Sequence, residues 1–273
     1  MCVLGAERNH GPDGAACRGT RHVSPTLLET KRLSKCFGVL RAVDDVSITI
    51  PEGARYALIG PNGAGKTTLV SMLSGALSST SGDITFAGVD LTSAPMHIRV
   101  RHGLARTYQI TSLFPRLTVR EQVALAVFER DGMGWKWLAP RNRMTAQYEE
   151  ASCLLDLVKL GADADLPVGG LPYGKQRLLE IALGLAARPR LLLLDEPAAG
   201  IPSTQSAELF EVIDALPAST AILFIEHDMD LVFRFAKKII VLMNGQVFME
   251  GTPSEIAGNA SVRQIYLGEG GHD

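Results

Sequence analysis

Nine consecutive residues, Gly60-Pro61-Asn62-Gly63-Ala64-Gly65-Lys66-Thr67-Thr68, restrict what this chain can fold into more than any other part of it. They fit the phosphate-loop pattern of a glycine, four residues, then Gly-Lys-Thr, which has meaning only between a strand and a helix. Glycines at 60, 63 and 65 let successive backbone N–H groups converge on phosphate oxygens, in conformations that a Cβ would oppose. The helix that follows turns its positive end toward the same anion. Lys66 supplies a compact cation for the β and γ phosphates, and the Thr67 hydroxyl is placed to ligate Mg2+. The aliphatic run Arg55 to Ile59 supplies the preceding strand.

Mg2+ takes an octahedron of hard oxygens, so a second strand should deliver a fixed carboxylate beside the loop. The run Leu191 to Leu194 leads straight into Asp195 and Glu196. Asp195 would hold the metal, directly or through water, and Glu196 would orient or deprotonate the attacking water. Gln109 in LARTYQ and His227 in ILFIEHD also follow strand-like runs, where a terminal phosphate could be sensed. Taken alone, a Gln or His is more often satisfied by local hydrogen bonds.

Other short aliphatic runs lie at Val46 to Ile50, Asp83 to Phe86, Ala221 to Ile225 and Ile239 to Met243. Those at 191–194 and 221–225 are almost continuously apolar, as strands buried on both faces of a parallel sheet should be. The middle of the chain reads differently. Thr118 and Glu121 make a capping box, and Val119, Val123, Ala126 and Val127 keep helical spacing. Met144 to Leu160 and Gly174 to Ala187 are further helix candidates. The expected organisation is an α/β core built from residues 25–107 and 188–268, interrupted by a helical segment at 108–187.

Charge excludes one class of partner: 27 basic against 29 acidic residues give −2, with no electrostatic reason to coat nucleic acid. The longest uncharged stretch, Thr67 to Gly82, is rich in Ser, Thr and Gly and falls short of the ~20 apolar residues of a spanning helix. Cys2, Cys17, Cys36 and Cys153 show no metal-type pairing and fit a reducing compartment. Residues 1–24 have no hydrophobic period and are expected to be a disordered extension. Between His97 and Arg143, nine Lys or Arg face three acids, either a solvated basic face or a surface for an acidic or membrane-proximal partner. Trp135 and Trp137 in that stretch read as a surface loop.

Together these residues resemble the ATP-binding subunits of ABC transporters, over roughly 27–268 and through six ordered motifs. The resemblance implies an α/β P-loop NTPase of ABC type: a mixed parallel sheet core, an antiparallel β subdomain and an inserted helical subdomain. It implies ATP and Mg2+ as cofactors, with Lys66, Glu196 and His227 catalytic and with Thr67, Gln109 and Asp195 on the metal. Phe37 matches the aromatic that stacks on adenine, Gly60 to Thr68 the Walker A loop, Gln109 the Q-loop and 191–196 the Walker B strand. His227 matches the switch histidine, and LPYGKQR, Leu171 to Arg177, stands where the signature should be, putting Tyr173, Gly174 and Lys175 against a nucleotide.

Two segments depart from the family pattern. Pro172 replaces the usual signature serine and donates no hydrogen bond, which implies that in a heterodimer the composite site containing this signature hydrolyses more slowly than its counterpart. Ala198 to Ser203 lacks the usual Asp or Asn of the D-loop, and Ser203 is expected to cap the next helix. LARTYQITSLFPRLTVRE, LLEIALGLAARPRLLLLDEPAAG, FIEHDMDLV and QIYLGEG are similar to the branch that imports branched-chain amino acids and related small solutes. The implied partners are a second ABC ATPase subunit, identical or related, transmembrane permease subunits and, indirectly, a periplasmic solute-binding protein. The implied location is peripheral, on the cytoplasmic face of the bacterial inner membrane. Another ABC transport branch, a soluble ABC ATPase and a regulatory ATP binder without turnover remain as alternatives.

Overall fold

The computed structural model describes residues 25–107, 113–133 and 145–267. Residues 1–24, Gln109, Trp135, Trp137, Arg141 and Arg143 lie outside these.

The first part of the chain forms β1 (Thr26–Phe37), β2 (Leu40–Val46), β3 (Thr49–Pro51), β4 (Arg55–Ile59), α1 (Lys66–Ser74), β5 (Ser81–Phe86) and β6 (Val89–Asp90). Then come α2 (Met96–Arg101), β7 (Leu104–Arg106) and three longer helices, α3 (Val119–Arg130), α4 (Thr145–Leu157) and α5 (Tyr173–Ala186). The remainder alternates: β8 (Leu191–Asp195), α6 (Ser203–Asp214), β9 (Ala221–Ile225), α7 (Met229–Phe235), β10 (Lys238–Met243), β11 (Gln246–Gly251), α8 (Pro253–Gly258) and α9 (Ala260–Leu267).

Six of these strands form one sheet in the order β11-β10-β4-β9-β8-β7, parallel throughout except for β11 against β10. β2-β1-β5-β6, with β3 also on β1, forms a separate antiparallel sheet. The parallel strands are apolar on both faces because each face meets a different core. In β8, Leu192 and Leu194 pack into one cluster with residues of α3 to α7, whereas Leu191 and Leu193 pack into the other with α1 and the antiparallel sheet. β9 splits the same way, with Ile222 and Phe224 on one side and Leu223 and Ile225 on the other. Phe224 meets Phe210 of α6 edge to face at 5.2 Å.

Local expectations hold in several places. The strand at Arg55 to Ile59 runs over those residues. Thr118 caps α3 by accepting from the Glu121 N–H, while the Glu121 carboxylate accepts from the Thr118 N–H at 2.9 Å. The apolar run Val46 to Ile50, by contrast, is not one strand: β2 ends at Val46 and β3 starts at Thr49, with Leu33 and Leu28 of β1 pairing either side of the break. Ser203 is not the cap of α6; that position is Pro202, with no side-chain cap bond.

The basic surplus also changes meaning. Arg99 is 2% exposed and donates to the carbonyls of Met72, Leu73, Ala94 and Thr92. Arg106 is paired with Asp195, Arg120 with Asp165, and Arg130 with Glu150. Four of the nine cations are thus spent on internal contacts rather than displayed as a face for lipid or an acidic partner.

Candidate functional site

The parallel strands all end on the same edge of the sheet, so the residues that follow them are brought together there. β4 delivers the phosphate loop, β8 ends in Asp195 and Glu196, and β9 leads into Glu226 and His227. A cleft of about 340 Å³ lies at that edge, lined by Phe37, Asn62, Lys66, Thr67, Glu196 and His227 among others. Gly63, Ala64, Gly65 and Thr68 line it too. Residues spread over almost two hundred positions of sequence therefore meet in one place.

Gly60 and Gly65 have a steric reason to be glycine. A Cβ on Gly60 would sit 2.2 Å from the Leu242 carbonyl oxygen, and one on Gly65, at φ 100°, would sit 2.3 Å from that of Ala42. Gly65 takes the N-cap position of α1, whose first turn carries no acid, so the helix turns its positive end toward the cleft. Lys66 folds back over the loop and donates to the carbonyls of Gly60 at 2.7 Å and Pro61 at 3.1 Å. Burial pushes its ammonium below the ordinary lysine value, and the carboxylates of Glu196 and Asp195 pull it back up. A cation desolvated at that cost beside an open cleft suits a multiply charged anion.

Phe37, at the end of β1, is 48% exposed, with the Lys35 ammonium 5.3 Å from its ring centre. Its ring is available for stacking. Glu196 has φ 48°, in the left-handed region, which brings its carboxylate to 3.0 Å from Nε2 of His227. Such strain at a non-glycine residue costs of order 1–3 kcal/mol and is concentrated at functional sites.

Asp195 lies just behind this cleft, 5% exposed, with Arg106 Nη2 2.5 Å from its Oδ2. Its Oδ1 is buried and has no hydrogen-bond partner among the described residues. An orphaned carboxylate oxygen is expensive without a cation, and a carboxylate with a threonine hydroxyl forms the hard-oxygen donor set that Mg2+ prefers. No cluster of three or more His, Cys, Asp or Glu occurs among the described residues. Mg2+ is commonly held by one or two carboxylates together with substrate phosphates rather than by an all-protein cage.

The signature residues are not in the cleft. Pro172 takes the N-cap of α5 without a side-chain cap bond. The Tyr173 hydroxyl donates to the Ala199 carbonyl at 3.2 Å and accepts from Arg177, and Lys175 is bound to Asp163 at 2.7 Å. A Cβ on Gly174 would lie 2.9 Å from Oε1 of Gln205. Arg106 and Glu226 carry parts of the site that sequence reasoning gave no role. Their signal was present: a charged residue at the end of a strand that is otherwise wholly apolar.

Comparison with known proteins agrees with this geometry. The family model described as ABC transporter matches residues 43–199. The chain is 37% identical over 254 residues to the high-affinity branched-chain amino acid transport ATP-binding protein BraF of Pseudomonas aeruginosa, covering 90% of this chain and 100% of that one. It is 36% identical, with the same coverage, to the LivG protein of Escherichia coli that carries the same description. The crystal structure of the ADP conformation of an ATP-binding cassette of an ABC transporter superposes with a TM-score of 0.77 at 29% identity, covering 90% of this chain and 100% of that one. The chain belongs to the ABC transporter family, as one of its ATP-binding, ATP-hydrolysing subunits.

Proposed function

We propose that this ATPase powers the uptake of branched-chain amino acids or a related small solute, as half of a head-to-tail pair attached to transmembrane permease subunits. One observation carries the reading: the cleft joining Lys66, Thr67, Glu196 and His227, on a chain that spans the full length of relatives described as branched-chain amino acid transport ATP-binding proteins. The 108–187 segment acts as a helical subdomain inserted into the core formed by 25–107 and 188–268.

Lys66 exchanges the carbonyls of Gly60 and Pro61 for the β and γ phosphate oxygens of ATP. The base of adenine stacks on Phe37. Glu196 takes a proton from the attacking water as the water oxygen bonds to γ phosphorus and the bond to the bridging oxygen breaks, giving ADP and phosphate. His227 holds the Glu196 carboxylate in place and faces the charge that develops on the phosphoryl oxygens. Thr67, Asp195 and Gln109 would hold Mg2+, which supplies neutralisation of phosphate charge when bound. The signature of one chain, with Tyr173, Gly174 and Lys175, closes over the nucleotide of the other. The closed pair's higher affinity for ATP drives the permeases.

No helix among the described residues is long and apolar enough to cross a membrane. As an ABC transporter ATP-binding subunit, the chain meets the bilayer through its permease partners, peripherally on the cytoplasmic face. An apolar groove of about 240 Å³ between α2, β7 and α5, lined by Met96, Val100, Leu104, Leu183 and Ala187, supports a permease docking place. The solute reaches the permeases from a periplasmic binding protein.

The test is ATP-driven uptake of leucine, isoleucine and valine by proteoliposomes holding the chain with its permeases and binding protein. Uptake that Glu196→Gln abolishes supports the reading. ATP hydrolysis without uptake of any of the three rejects the solute class, and a Glu196→Gln protein that stays monomeric in excess ATP rejects the pair.

A further inference from the structure

Glu226 is a buried carboxylate that the hydrolytic mechanism does not use. It is 5% exposed and sits between the apolar end of β9 and His227. Its Oε1 accepts from the Ala198 N–H at 2.9 Å, and its Oε2 accepts from the His227 N–H at 3.2 Å. One side chain therefore joins the main chain two residues beyond the catalytic base to the main chain of the switch histidine. These are the two segments whose side chains meet at 3.0 Å in the Glu196–His227 contact.

The strain at Glu196 makes this bridge consequential. A non-glycine residue at φ 48° persists only where its neighbours over-determine it. On one side the Glu196 N–H is held by the Ile225 carbonyl at 3.1 Å. On the other, Ala199 N–H returns to the Glu196 carbonyl at 3.0 Å, and Ala198, between them, is held by Glu226. The loop offers no polar side chain of its own from Pro197 to Pro202, so its position is set through its backbone. Burial raises the Glu226 carboxyl above the usual carboxylate range, while the two amides pull it down. The acid is kept there at a cost to stability rather than for a gain.

We propose that Glu226 is a positioning residue for ATP hydrolysis: by clamping Ala198 to His227 it sustains the strained backbone of Glu196 and keeps base and histidine in register. Glu226 does not line the phosphate-loop cleft, so it acts through the residues that do. The proposal rests on the ATPase activity alone and is independent of the solute and of the permeases.

Glu226→Gln keeps the shape but leaves one acceptor and turns an NH2 toward an N–H donor. In the full chain, this variant should lower kcat for ATP by about tenfold or more, the scale of one lost bond to a charged acceptor. KM for ATP should stay within about twofold, because Lys66 and the phosphate loop are untouched. Its melting temperature should change by no more than a few degrees, because the cost of leaving one buried N–H facing an NH2 is offset in part by removal of a buried acid. Amide hydrogen exchange at Ala198 and His227 should be slow in the unaltered chain and faster in the variant. An unchanged kcat overturns the proposal, as does a kcat loss accompanied by a larger fall in melting temperature and a raised KM. Fast exchange at Ala198 in the unaltered chain also overturns it, whether or not the variant folds.

Discussion

The sheet edge and the three helices α3 to α5 treat their charges in opposite ways. Among the helices, charges are paired with one another. Arg130 and Arg188 both grip Glu150, Arg177 holds Glu180, and Lys175 holds Asp163. The Arg130 guanidinium, helped by Arg188, drives the Glu150 carboxyl from 4.5 down to about 2. At the sheet edge burial lowers Lys66 and raises Glu226, and Asp195, although paired with Arg106, keeps one oxygen without a hydrogen-bond partner among the described residues. Shifts toward the charged form mark contacts that hold the fold together. Shifts away from it, beside an open cleft, mark groups arranged for something that binds later. Burial alone does not make that distinction. Arg55 and Arg99 are lowered by burial as well, yet their guanidinium groups donate to main-chain carbonyls, Arg55 to those of Thr220 and Leu216 and Arg99 to those of Met72 and Leu73.

The sharpest way to break this contrast is at Glu196. Glu196→Gln should cut steady-state phosphate release by about 10²- to 10⁴-fold, the range for loss of a general base, with nucleotide binding retained. A smaller loss would make the carboxylate at φ 48° a structural feature like those among the helices. Next is Glu150→Gln, which should cost about 2 kcal/mol in chemical denaturation and leave ATP turnover per folded molecule unchanged. Because the folded value lies below 4.5, this contribution is complete above about pH 4.5 and is lost as pH falls toward 2. Stability of the unaltered chain should therefore decline across that window more steeply than that of the variant.

Pro172→Ser probes the junction of the two regions. Restoring a hydroxyl at the N-terminus of α5 should raise turnover of the paired protein by about tenfold, the lower end for a charge-assisted hydrogen bond. Unchanged turnover removes the role assigned to Pro172. The smallest effect is expected at Thr118→Ala, which removes the α3 capping box and should cost about 1 kcal/mol in thermal or denaturant unfolding, with no change in KM for ATP.

Much of this was legible in the sequence, for reasons that differ by element. The strand Arg55–Ile59 and the α3 cap were readable because each depends on residues within a few positions of one another. The break between Val46 and Thr49 was not, because β1 imposes it by pairing with both β2 and β3 across an irregular register. The α6 cap position falls on Pro202, at φ −57° and ψ 144°, one residue before Ser203.

Sequence alone determined the phosphate loop, the acids after β8 and the both-faces-buried character of the parallel strands, since spacing and hydrophobicity are local properties of the chain. Tertiary structure decided which charges were already taken. Arg106 against Asp195, Tyr173 against Ala199 and Glu226 against Ala198 join residues from 26 to 89 positions apart. Such partners are chosen by how strands stack and where their ends fall, and no local pattern encodes that.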